Sequence, residues 1–155
     1  MKQSPRDKKL EEVLRSTRLV AGGFMGTDPR HPVEVIEHDM LQMEHLGVTT
    51  HHLAERMREL TDLAKPRLGN WIEDASGKLR VKSEDYKGIL VCPWPHPGTF
   101  DKRITIVERL QTQMQISWTD LNIHMIEEHG FFEGKGAFFR IEPVEIVNIL
   151  FEDLT

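Results

Sequence analysis

Cysteine is almost absent from this chain: Cys92 is the single one in 155 residues. One thiol excludes an internal disulfide, agrees with a reducing compartment, and leaves Cys92 free to be a core residue, a metal ligand or a nucleophile. No apolar run approaches the roughly 18 residues that a membrane-spanning helix needs, and there is no repeat or low-complexity tract. The opening MKQSPRDKKLEEVL has charges where a signal peptide has its apolar segment, so a cytoplasmic protein with no membrane association is expected. Basic residues are also in deficit. Lys and Arg number 20 against 25 Asp and Glu, a net charge of −5, and residues after 20 hold 14 basic against 22 acidic side chains. Non-specific nucleic-acid affinity comes from neutralising many phosphates, so an acidic body disfavours a broad phosphate-binding face.

What is present suits one soluble domain over 1–155: 39% apolar and 29% charged residues, at a length that can bury a core without staples. The expected class is α+β, mainly helical over 1–66 and β-rich over 67–155, with helices near 118–129 and 143–152. From Asp7, the residues Leu10, Val13, Leu14, Thr17 and Ala21 follow one helical stripe that Gly22-Gly23 would end. Residues 33–46 place Val33, Ile36, Met40 and Met43 inward before a C-terminal Gly47. Thr49 or Thr50 then caps a helix to about Ala64, with Leu53, Met57 and Leu60 inside and Pro66 beyond it. The result is a helical hairpin. Glu34, His38 and His45 share one of its faces, read as solvated.

The β-rich part opens with a short hairpin, Trp71–Glu73 and Lys78–Val81 around the turn 74–77, then a polar turn over Ser83–Tyr86. Gly88–Val91 leads into Cys92, where Pro93, Pro95 and Pro97 stop the strand. KRITIVERL and MQISW read as a second hairpin, with a helix over 103–115 as the competing assignment. Ser117 and Asp120 fit a capping box for a helix carrying Trp118, Leu121 and Met125 inward to Gly130. Phe131-Phe132 and Phe138-Phe139 bracket a glycine-rich hairpin, and Pro143 opens a last helix with Val144, Val147 and Phe151 inward.

The chemistry concentrates in Cys92-x3-His96, then 27 residues, then His124-x4-His129. Two ligand-type residues on a stiff turn and two on a helix are how a chain assembles a tetrahedral zinc site. Five residues rotate His129 by about 140° from His124 on a regular helix, so the last turn is expected to loosen. The ligand order resembles a Cys2His2 zinc finger, with His96 standing where the second cysteine belongs and a gap about twice the usual 12 to 15 residues. The segment MLQMEHLGVTTHHLAERMREL resembles a helix-turn-helix, which implies Thr49, Thr50, His51, His52 and Arg56 facing DNA.

Three readings follow. The leading one is a binding or interaction module, its partner unspecified, stabilised by structural zinc on Cys92, His96, His124 and His129. The second is a helix-turn-helix DNA-binding regulator with Arg18, Arg56 and Arg58 as a basic patch. The third is a metal hydrolase in which three of the four bind, with Glu127, Glu128 or Glu133 as general base. A nucleophilic Cys92 with His96 or His129 as its base is a fourth, weaker use of the same residues.

Overall fold

The computed structural model describes residues 4–16 and 23–151, and its elements are five helices and a four-stranded antiparallel sheet, an α+β arrangement. Helix α1 spans Pro5–Arg15, with Ser4 accepting the Asp7 amide as N-cap. Of its expected stripe, Leu14 is buried and Leu10 and Val13 partly so, while Thr17 and Ala21, and with them Arg18 of the expected basic patch, lie outside the described residues.

Helix α2, Pro32–Leu46, ends on Gly47 in the left-handed conformation, and α3, Thr50–Ala64, starts from Thr49, whose hydroxyl accepts the His52 amide. The hairpin is therefore as expected, and α3 buries Leu53, Met57 and Leu60 against β2 and α4. The inner face of α2 is as expected at Met43 and, half-buried, at Ile36, but not at Val33 and Met40. Pro32, Val35, Asp39 and Met43 are buried, while Val33 and Met40 are exposed. The face turns because Arg140, distant in sequence, enters the core and pairs with Asp39, converting a nominally solvated carboxylate into a buried one.

Strands β1 (Ile72–Glu73), β2 (Leu79–Leu90), β3 (Phe100–Arg109) and β4 (Met114–Thr119) form a meander in the order β1-β2-β3-β4. Both expected hairpins are present, and no helix forms over 103–115. Ser83–Tyr86 is strand rather than turn. Ser83 faces Thr105 and Asp85 faces Arg103 across the ladder, and a bulge falls between Asp85 and Ile89. Beyond Ser83 the β2–β3 ribbon leaves the core and its β2 side chains are largely exposed.

Helix α4, Asp120–His129, is capped by Thr119 and Asn122, not by Ser117 and Asp120. Strand β4 continues through Thr119 and keeps Ser117 in its ladder opposite Ile106, which moves the box two residues on. Trp118 is fully buried and donates its indole N–H to Thr61 Oγ1 at 2.9 Å.

The segment 131–139 forms no hairpin. It docks on residues 24–27, with Gly134 N–H donating to Phe24 O (2.8 Å) and Thr27 N–H to Lys135 O (3.1 Å). The approach requires glycine, since a Cβ on Gly134 would lie 2.4 Å from Met25 O. Helix α5, Pro143–Phe151, buries Ile146, Val147, Ile149 and Leu150, while Val144 is exposed and Phe151 half-buried.

Candidate metal centre

Strand β2 ends at Leu90, and the three prolines of 93–97 force the chain into an irregular loop that returns across the last turns of α4. Cys92 points inward from this loop and is 4% exposed, in an apolar cluster with Leu14, Phe24, Val35, Leu121, Met125 and Phe131. Trp94 stacks on the His129 ring with centroids 4.1 Å apart and planes 5° from parallel, and meets Phe131 edge-on. Phe100, at the start of β3, lies against His124. Aromatic packing thus seats the loop on α4.

The loop brings all four expected residues together. The ligand atoms of Cys92, His96, His124 and His129 all lie within 4.8 Å of one another, a cluster able to hold a metal ion. Cys92 Sγ is 3.5 Å from His129 Nε2, and His96 Nε2 is 3.0 Å from His124 Nε2. His96 Nδ1 lies 3.0 Å from Pro97 O. A carbonyl only accepts, so Nδ1 carries the proton and, in the neutral ring, Nε2 turns its lone pair to the cluster.

The helix does not unwind to achieve this. It stays α-helical to His129 and closes on Gly130, whose N–H donates to Ile126 O while Phe131 N–H donates to Met125 O. The two imidazoles converge by their own side-chain torsions, with ring centroids 5.2 Å apart. The finger-like order of ligands sits on a different scaffold: β3, a turn and β4 fill the long gap between the loop and α4.

Burial sets the protonation of the cluster. It pushes His129 down to about 4, with the neighbouring His124 and His96 adding to the effect. It lowers His124 as well, again helped by His96. It raises the Cys92 thiol, against a smaller opposing pull from the Trp94 backbone amide. At neutral pH His124 and His129 are therefore uncharged and ready to ligate, and the thiol is the group that must lose a proton to a metal.

Of the expected bases, Glu127 is engaged, Glu133 is placed elsewhere, and Glu128 stays beside the cluster. Glu127 is held by Arg58 (2.8 Å) and His51 (3.0 Å). Glu133 is buried and lines a cavity that includes none of the four cluster residues. Glu128 borders a surface cleft with His129 and Trp94. A nucleophilic Cys92 lacks support: its thiol is raised, and among the described residues His129 has no carboxylate or amide to orient it.

The helix of the helix-turn-helix reading exposes Thr49, His51, His52 and Arg58. Helix α3 packs on the body, Arg56 pairs with Asp74 (2.6 Å) and Glu59 (2.8 Å), and Arg58 with Glu127. His38 and His45 are exposed, as the solvated-face reading has it.

Sequence reasoning missed the part played by Trp94. The PWPHP run carried the available signal, an aromatic held between prolines beside a ligand. Comparison with protein-family models, curated proteins and solved structures yields no match for this chain.

Proposed function

We propose that the protein binds one zinc ion through Cys92, His96, His124 and His129, and that the ion is structural, tying the β2–β3 connection to α4 in a cytoplasmic binding or interaction module. The observation that carries this is the spacing of the ligand atoms. Zn–N bonds of about 2.0 to 2.1 Å and a Zn–S bond of about 2.3 Å give a tetrahedron edges of about 3.3 Å (N to N) and about 3.6 Å (S to N). Of the six separations, Cys92–His129 at 3.5 Å matches the second and His96–His124 at 3.0 Å is a few tenths short of the first, while the set as a whole spans up to 4.8 Å and would close in on an ion. The donor set also favours zinc, because one thiolate with three imidazoles suits a borderline ion without redox chemistry.

Four protein ligands fill a tetrahedral shell, which favours the structural role over a hydrolytic one. Glu127, the carboxylate three residues from His124, is already committed to Arg58 and His51. A cytoplasmic location keeps the single thiol reduced for the metal. No helix among the described residues is long and apolar enough to cross a membrane.

The test is elemental analysis of protein purified without chelator, with Cys92→Ala and His124→Ala alongside. The expected result is near one zinc per chain in the parent, and loss of the metal together with thermal stability in both variants. A site at 100 times its Kd in free zinc adds about 2.7 kcal/mol to the folded state. A parent chain that carries no zinc and takes none up on titration refutes the reading.

A further inference from the structure

A second site lies apart from the metal cluster. A mostly apolar cavity of about 250 Å³ sits between the β2–β3 ribbon, the start of α4 and the segment 131–139. Phe24, Leu90, Leu121 and Phe139 form walls, and Phe138, 83% exposed, stands at the rim. One carboxyl faces into this apolar space. Glu133 is 5% exposed, and its Oε2 accepts a hydrogen bond from Asn122 Nδ2 at 2.7 Å. Among the described residues its Oε1 accepts none.

The protein maintains this placement against resistance. Glu133 has φ of 69°, a left-handed conformation that non-glycine residues adopt rarely, and its Oε1, with no protein donor among the described residues, is reached only from the cavity. Strain and a desolvated polar group together at a cavity wall are the marks of a binding site. The docking of Gly134 on Phe24 and Met25 and the bond from Arg140 Nη1 to Glu133 O (2.8 Å) hold the segment in this form.

The geometry points to a binding site for a small, neutral aromatic molecule whose N–H donates to Glu133 while its ring fills the apolar walls. The size is that of a fragment, since drug-sized ligands occupy about 300 to 1,000 Å³. Neutrality follows from the surroundings. Lys102 and Arg103 line the cavity, Arg140 stands behind Glu133, and an ammonium would also lose its hydration on entry. A neutral heterocyclic N–H supplies the missing donor without either penalty.

Indole and indene form the test pair, because they share a shape and differ in replacing N–H by CH2. Amide chemical-shift titration of the full chain at about pH 8, where Glu133 is ionised and Oε1 accepts, is expected to show saturable indole binding, with shifts at Thr119, Leu121, Glu133 and Phe139. Indole should bind about tenfold or more tightly than indene, because indene would exclude water from Oε1 without replacing its hydrogen bond. Glu133→Leu should bring the two affinities together. Should that variant fail to fold, Phe138→Ala, at an exposed position, should weaken both ligands to a similar degree. Equal affinity of the parent for both ligands, no saturable indole binding, or shifts confined to other surfaces would each overturn the proposal. None of these outcomes depends on whether zinc binds.

Discussion

Replacing Arg140 by Met should be among the most damaging single changes in this protein. The Arg140 side chain is 7% exposed and that of Asp39 fully buried, and the guanidinium engages both Asp39 oxygens. It also donates to Glu133 O and to Glu142. Methionine keeps much of the stem's volume and removes the charge. Asp39 is then left in the core without its hydrogen-bonded cation, with the half-exposed His38 ring 3.6 Å from Oδ1 and Arg30 acting only through its field.

Breaking one partner of a buried pair costs about 3 to 5 kcal/mol. For a chain of this length that corresponds to a fall in Tm of about 6 to 20 °C. Thermal and urea unfolding of Arg140→Met, Asp39→Leu and the double variant would measure it. The double variant should recover most of the loss, because no uncompensated charge remains. Additive losses, or an Arg140→Met variant within about 0.5 kcal/mol of the parent, would refute the assignment of Asp39 to the core.

Two other predictions concern protons. Burial pushes the Glu133 carboxyl from 4.5 up to about 7. The folded state therefore holds a proton that the unfolded chain releases, and stability falls as pH rises through that window, by roughly 3 kcal/mol once above it. Glu133→Gln, which keeps the acceptor for Asn122, should lose this dependence: it should gain on the parent between pH 5 and pH 8, as urea unfolding at both pH values would read, and parallel curves would refute it. At the candidate metal centre, Cys92 would have to ionise to ligate while His124 and His129 are already neutral. Zinc binding at pH 7 should thus release about one proton per ion, measured by calorimetry in buffers of different ionisation enthalpy, and Cys92→Ser should release fewer.

Much of the local structure is written in short-range patterns. Gly47 and Thr49 mark the turn between α2 and α3, Gly130 ends α4, and the prolines after Cys92 end β2, each through backbone geometry that neighbours cannot alter. The four ligand candidates were legible for the same reason: each pair is held by one local element. The errors fall where a distant partner intervenes. Continuation of β4 displaced the cap from Ser117 to Thr119, and pairing with β3 turned Ser83–Tyr86 into strand.

The sequence by itself determined the α+β order and the helical hairpin, and it singled out Cys92, His96, His124 and His129 as candidate ligands. Only the tertiary structure decided that the loop folds back on α4 so that these four meet, which Trp94 secures by stacking on His129. It also decided which face of α2 is buried, through Arg140, 101 residues beyond Asp39, and that Glu133 faces an apolar cavity. The physical reason is common to all three. A side chain's burial and charge state depend on atoms brought near by packing, and no spacing along the chain encodes that proximity.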